Sequence, residues 1–469
     1  HQSSRVQELQ AEAEWRFEVA FGASVKVKLL HGTAELFGTE LAPKVTYTFA
    51  GTKAAIFSWH GCALEITGEC ESEYAAEETP MLMYLNVHAA LDNMRKGSPA
   101  REGPRVLVVG KENAGKTSLV KLLTAYALKS GSRPTVLNLD PREGVLSIPG
   151  TLTCTTFASM LDIEDGWGSS PISGPTALPV KTPLVYHFPL ESPEENSKMF
   201  KPVATRMALA ATSRLEEDPE AKEAGFIIDT PPSVSSARGG YENIQHIVSE
   251  FSVNQILVLG SERLYNDLTR RFASAPSSKP VDEAVNVVRL DVSGGCVERD
   301  RAFMKQVREA QIRAYFFGDA RITLSPSTQV WDFEQLRILR VVDLVHIADS
   351  HDRPTTTNRL TLTPHSATIA LNPSFLPGDH SSTASSPLHI FESTPPSLQL
   401  QNQLLAIKHA DPADSHPAIR DATVLGFVYV ADVDEAKKKV RLLAPSSARV
   451  EGRAVVGGSW PEGVGDLVA

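Results

Sequence analysis

Cysteine is scarce. The chain carries four, Cys62, Cys70, Cys154 and Cys296, in 469 residues, and no two have the short spacing of a zinc site or a redox motif. That excludes a disulfide-stapled scaffold and points to a reduced compartment, cytosol or nucleus. Long hydrophobic runs are also missing: none approaches the roughly 20 residues a membrane span needs, and the opening HQSSRVQELQ is polar, so neither a spanning segment nor a secretory leader is expected. Positive charge is in deficit, with 46 Lys and Arg against 56 Asp and Glu and a net charge of -10. A protein coated by nucleic acid through bulk electrostatics is thereby excluded, and any RNA contact must come from a local patch. The histidines are dispersed and suggest no ligand set. What is plentiful is hydrophobic residues, 42% of the chain, enough for two or three cores.

Three regions differ in pattern. From Trp15 to Thr67, short runs such as WRFEVA, SVKVKLL and AAIFSWHG alternate apolar with polar residues between glycines, which predicts a small antiparallel β domain, sandwich-like, over 1–99. PMLMYLNVHAALDNMRKG has helical spacing and runs into the polar boundary SPAREG. Over 100–318 the apolar runs become continuous: RVLVV, TVLNL, GFIID, QILVL and VNVVRL. Strands covered on both faces look like this, and the amphipathic segments TSLVKLLTAYALKSG and GYENIQHIVSEF between them predict an α/β domain with a parallel sheet. SAPSSKPVDEA reads as a surface loop, and ERDRAFMKQVREAQIRAYFFG as one or two charged helices. After Gly318, QLRILRVV, SATIALN, TVLGFVYVADV and KVRLLAP predict a second small β-rich domain over 319–469. The stretch from Pro373 to Gln403, rich in Ser, Pro and Gln, is expected to be a flexible insert in it.

The sharpest motif is VLVVGKENAGKTSLVKLL, an apolar strand, then G-x-x-x-x-G-K-[ST], then an apolar-periodic helix. Gly110 and Gly115 let the backbone curl around phosphates, and the loop amides with the helix N-terminus present positive potential to them. Lys116 can reach the β and γ phosphates, and the Thr117 hydroxyl can ligate magnesium. Two strands run into carboxylates. Asp229 of GFIID has the form of a residue that holds Mg2+ through water, and Asp140 of TVLNLD could accept a proton from an attacking hydroxyl. Either could instead cap its own turn. Arg299, Arg301, Lys305 and Arg308 could close over phosphates as a lid or form a solvated helix face. Lys437 to Lys439 reads as a hairpin tip.

The segments EWRFEV, AELFGTEL, YLNVHAAL, NLDPREGVLSIPGTL, PLVYHF, SERLYNDL, GGCVERDRAF, IRAYFFG and VLGFVYV, together with the P-loop, resemble the pre-mRNA cleavage factor IA subunits of the polynucleotide 5′-hydroxyl kinase family, in their fungal form. The resemblance runs nearly end to end, and LSIPGTL and PLVYHF are more specific to it than the P-loop is. It implies three domains, with ATP between the N-terminal and central ones. By resemblance, Glu14 and Lys53 match positions at the adenosine end, and Asn113, Ala114, Gly115, Lys116, Thr117 and Ser118 match positions around the phosphates.

In active members of that family a nucleic-acid 5′-hydroxyl attacks the γ phosphate. An aspartate matching Asp140 is the base, a tryptophan in T-x-G-W clamps the terminal nucleotide, and lid arginines stabilise the transferring group. Asp140 and Arg299 match. In DTPPSVSSARGGY, however, Pro231, Pro232 and Ser233 replace the cysteine, glycine and tryptophan, with two residues inserted before Tyr241. Loss of a stacking aromatic removes roughly 1 to 3 kcal/mol of base binding. Pro141, Arg142 and Glu143 stand where the kinases carry Gly-Gln, and the second lid arginine falls at Met304, beside Lys305. An intact P-loop beside three such departures implies retained ATP binding and lost turnover. The expectation is a non-catalytic, ATP-binding nuclear subunit of the 3′-end cleavage and polyadenylation machinery. Its implied partners are the scaffold subunit of cleavage factor IA on the central domain and other 3′-end processing subunits, with RNA met indirectly or weakly and no membrane. The alternatives are an active kinase acting on RNA through Lys116, Thr117, Asp140 and Arg299, and a nucleotide switch with slow hydrolysis.

Overall fold

A computed structural model describes residues 4–98, 101–167, 183–273, 284–319, 322–341, 391–445, 452–465 and 467. The alternating residues near the N-terminus form two antiparallel sheets. One has the order Ser4–Leu9, Cys62–Thr67, Val25–Gly32, Thr46–Phe49, and the other Thr39–Glu40, Glu35–Leu36, Thr52–Ser58, Ala13–Val19, Ser72–Ala76. In Val25–Gly32 the pleat turns Val25, Val27 and Leu29 inward and Lys26 outward. Trp15, stacked on Phe17 at 4.4 Å, packs with Ile56, Leu64 and Ile66 between the sheets. Helix Met81–Gly97 then crosses to the next layer, where buried Arg95 donates from Nε to the Ala224 carbonyl at 2.9 Å.

The five continuous apolar runs are the parallel strands of a seven-stranded sheet. Its order is Leu184–His187, Thr151–Thr156, Thr135–Asn138, Phe226–Asp229, Arg105–Gly110, Gln255–Leu259, Asn286–Leu290. Alternate residues of one strand serve two cores. Leu107 and Val109 meet Phe200 and Ile244 on one face, whereas Val106 and Val108 meet Leu119 and Leu123 of helix Lys116–Lys129 on the other. Two-sided burial explains why these strands do not alternate in sequence. At one edge Thr151–Thr156 runs antiparallel to both its neighbours, Thr135–Asn138 and Leu184–His187, and neither it nor Leu184–His187 carries a periodic signal; threonines fill the first of them. The 21-residue helix Ser197–Glu217, with Pro202 inside it, is likewise absent from the sequence-based expectation.

The charged run after residue 298 is one helix, Arg301–Phe317, started by Asp300, whose carboxylate accepts from the Phe303 amide at 2.7 Å, and ended at Gly318. Its Ile312, Tyr315 and Phe316 pack against Phe427 and Tyr429. These belong to a second seven-stranded sheet with the order Ser327–Asp332, Lys439–Ala444, Val424–Asp434, Leu404–Lys408, Val455–Gly457, Ile338–Val341, Phe391–Thr394. The expectation of a flexible insert over 373–403 needs correction at its end. Phe391–Thr394 pairs antiparallel with Ile338–Val341, and a 3-10 turn at Leu398–Leu400 follows. Phe391 and Leu400 are buried, and that apolar burial ties a stretch of low-complexity composition into the sheet. Residues 373–390, the segment SATIALN and residues 274–283 of the expected surface loop lie outside the described residues.

Candidate functional site

Asn113 and Gly115 take left-handed backbone angles, φ 54° and 83°. The turn they make ends as Gly115 caps helix Lys116–Lys129, so the amides at the helix start face one hollow. Gly115 is also the residue the space demands: a Cβ there would stand 2.9 Å from Cys296 Sγ. The hollow is a cavity of about 530 Å³ walled by Asn113 to Ser118, Lys53 from the N-terminal sheet, Asp140, Arg299, and Trp460 from the C-terminal region. Three of the expected site residues stand outside its wall. Gly110 ends its strand against Leu259, its amide donating to Ser235 Oγ at 3.0 Å. Glu14 lines an adjoining apolar slot of about 60 Å³ with Phe57, Tyr84 and Leu119. Asp229 is reached only through Thr117, whose Oγ1 donates to Asp229 Oδ2 at 2.6 Å.

Lys116 is buried, and its Nζ donates to the Lys111 carbonyl at 2.8 Å. Burial lowers its pKa, against the pull of Asp229 and Asp140. Asp229 is pushed up to about 6 by burial, against Thr117 and Lys116. Glu14 pairs with Arg16 at 2.5 Å, yet burial outweighs that pairing and holds the carboxyl above its ordinary value. Lys53 pairs with Glu18 at 2.7 Å and lies 5.1 Å from the Phe303 ring centre.

The residues that depart from the kinase pattern engage the two expected catalytic groups. Arg142 donates to both oxygens of Asp140, from Nε to Oδ1 at 3.1 Å and from Nη2 to Oδ2 at 3.0 Å, and from Nη1 to Glu112 at 2.9 Å. Glu143 takes Arg299 in a two-point pair, 2.5 Å and 3.3 Å. Burial alone would raise Glu143; Arg299, Arg142 and Lys121 outweigh it and hold the carboxyl below its usual value. Pro232–Ser235 forms a 3-10 turn with no aromatic in it. Met304 and Lys305 line the cavity, with Lys305 3.7 Å from Glu309.

Sequence reasoning missed the C-terminal contribution. Trp460 Nε1 donates to the Pro141 carbonyl at 2.9 Å, and Arg308 lies over the Trp460 ring at 4.5 Å while donating from Nε to Glu462 at 2.9 Å. Gln311 exchanges two hydrogen bonds with the backbone of Gly144, at 3.2 and 3.0 Å. The loop 141–144 is therefore held by helix Arg301–Phe317 and by a segment more than 300 positions away, as the Pro141 to Trp460 contact shows. No spacing rule links such residues.

Comparison with known proteins covers the same ground. Residues 8–98 match the N-terminal beta-sandwich domain of polyadenylation factor, 110–318 the mRNA cleavage and polyadenylation factor CLP1 P-loop, and 324–462 the pre-mRNA cleavage complex II protein Clp1. The chain is 53% identical over 461 residues to the mRNA cleavage and polyadenylation factor clp1 of Botryotinia fuckeliana, covering 98% of this chain and 94% of that one. It is 48% identical to the factor of the same name from Emericella nidulans, covering 98% and 95%. A solved wild-type Clp1p–Pcf11p complex shares the fold, with a TM-score of 0.81 at 24% identity over 98% of each chain. A second structure, described as showing an extended interface between Pcf11p and Clp1p and the basis for ATP loss in a point mutant, has a TM-score of 0.81 at 25% identity, covering 98% of this chain and 99% of that one. The chain belongs to the Clp1 family of mRNA cleavage and polyadenylation factors, and its GKENAGKT loop lies in that family's P-loop domain.

Proposed function

We propose that the protein holds ATP with Mg2+ in this cavity without transferring its phosphate, and serves as a nuclear subunit of the pre-mRNA 3′-end processing machinery. The loop Asn113 to Ser118 with Lys116 takes the phosphates. Thr117 and Asp229, joined by the bond from Thr117 Oγ1 to Asp229 Oδ2, would hold the metal, which would draw charge from the phosphates. Among the described residues no group of three His, Cys, Asp or Glu could hold a metal, so nucleotide oxygens and water complete the shell. Glu14, at the apolar slot beside Gly115 and Ser118, and Lys53, in the cavity wall, serve the adenosine end.

One observation carries the non-catalytic reading: Asp140 and Arg299, two of the groups a kinase would use, are each neutralised by a neighbour that the kinases lack. A carboxylate gripped at both oxygens by Arg142 is a poor base, because taking a proton means giving up a bidentate, charge-assisted pair. Arg299 in turn spends its fork on Glu143. ATP bound between domains stabilises the assembled state by mass action, and this keeps the central-domain surface in shape for a scaffold subunit. The relatives' solved complexes contain Pcf11p, and a partner of that kind is proposed here. The division at residues 99/100 and 318/319 belongs to the same reading.

The test is label transfer from γ-labelled ATP with Mg2+ to a 5′-hydroxyl oligoribonucleotide. The protein is expected to transfer none, and a variant combining Arg142→Gly with Glu143→Gln is expected to stay inactive because the turn at Pro232–Ser235 offers no stacking ring. Transfer by the unmodified chain that disappears in Lys116→Ala would establish the kinase instead.

A further inference from the structure

Lys121 stands one turn beyond Thr117 on helix Lys116–Lys129 and lines the same cavity. Its Nζ lies 5.8 Å from the ring centre of Phe37 and 5.8 Å from that of Trp167, between two aromatic faces. Gly166 makes room for it, since a Cβ there would come within 2.8 Å of the ammonium. Of the other cations around the cavity, Arg142 is engaged by Asp140, Arg299 by Glu143, Lys53 by Glu18, Arg308 by Glu462 and Lys116 by the Lys111 carbonyl, while Arg301 is exposed. Lys121 is different. Among the described residues it makes neither a hydrogen bond nor an ion pair. Burial lowers its pKa, and the charged groups acting on it are Glu143, Arg299 and Asp229, with none from the Glu14 and Arg16 end.

A half-buried ammonium held only by ring faces lacks a counter-charge, and an anion arriving in the cavity would supply one. Lys121 shares the cavity wall with the loop Asn113 to Ser118, one helical turn beyond Thr117, and Phe37 beside it also borders the apolar slot. We propose that Lys121 binds the terminal phosphate of the nucleotide and sets a preference for a nucleoside triphosphate over a diphosphate; this rests on the ATP-holding reading above. Phe37 comes from the N-terminal sheet domain, where it holds a left-handed backbone angle of φ 45°. The γ phosphate would thus be sensed at the seam between domains.

The experiment is calorimetric titration of the nucleotide-stripped full chain with Mg-ATP and Mg-ADP. Lys121→Met, which suits an aromatic cage without its charge, is expected to lose about tenfold in ATP affinity while ADP affinity stays within about twofold. Lys121→Arg is expected to keep the preference. Equal losses for both nucleotides, or no loss for ATP, would overturn the proposal and leave the ATP site standing. An unmodified chain that binds neither nucleotide would bring down both. Should Lys121→Met melt below the working temperature, Lys121→Gln takes its place in the titration: a selective loss of ATP affinity supports the proposal, and an equal loss or none overturns it.

Discussion

Replacing Lys116 by alanine is expected to weaken ATP binding by at least about two orders of magnitude and to abolish the gain in thermal stability that ATP confers. The buried ammonium would lose charge-assisted bonds to phosphate oxygens, each worth about 1.5 to 3 kcal/mol, and two such losses give roughly 100-fold or more. Linkage supplies the second readout. At ATP near 100 times its dissociation constant the unmodified protein gains about 2.7 kcal/mol, which for the unfolding entropy of a chain of 469 residues is a shift of roughly 3 °C. Without nucleotide the variant should melt no lower than its parent. Lys116 has a pKa lowered first by burial and only one loop carbonyl to bond, so its charge does not stabilise the empty fold. Melting curves with and without Mg-ATP, beside calorimetric titration, check both halves. A Lys116→Ala protein that retains the ATP-dependent shift would remove the phosphates from this loop.

Asp229→Asn is expected to act in opposite directions in the empty and loaded protein. Its carboxyl is raised from 3.8 to about 6, with burial the leading cause. A raised acid pKa means that the folded state holds the proton more tightly than the unfolded state. The associated stability is therefore full below about pH 4 and lost as pH rises through about 6. At pH 8 the buried carboxylate costs the empty fold about 3 kcal/mol at most, by roughly 1.36 kcal/mol per pH unit. Asparagine has no charge to bury and still accepts from Thr117 Oγ1. The variant should therefore exceed its parent by roughly 1 to 3 kcal/mol at pH 8, with the difference vanishing below about pH 4. With Mg-ATP present the order should reverse, because the variant has lost the negative charge that draws the metal toward Thr117. Urea unfolding at several pH values, with and without Mg-ATP, measures both. A variant less stable than its parent without nucleotide at pH 8 would contradict the assignment of burial as the dominant cause.

Much of the site was legible because its chemistry is local. GKENAGKT lies between a strand and a helix in sequence, so turn, amides, Lys116 and Thr117 come as one unit. The five parallel strands were legible for a related reason: burial on both faces leaves continuous apolar runs such as RVLVV. Thr151–Thr156 was not, since an edge strand of threonines has neither continuity nor alternation. Of the two residues expected at the adenosine end, Lys53 entered the cavity wall and Glu14 the adjoining slot. Spacing suggested neither; both came from the resemblance. That Glu143 adds a negative charge at the cavity was legible, but not its partner. It pairs with Arg299, 156 positions away, rather than with the neighbouring Arg142. Arg142 had already turned to Asp140. Trp460 and Glu462 were invisible for the same reason, because contacts that distant depend on how a whole sheet docks.

The central claim is that the nucleotide is kept rather than consumed. The most direct measurement is to purify the protein, incubate it for a long period with Mg2+ at its working temperature, denature it, and identify the released nucleotide by chromatography. Intact ATP, in near one-to-one ratio with the chain and undiminished over time, is the predicted result. ADP accumulating as ATP declines would contradict it.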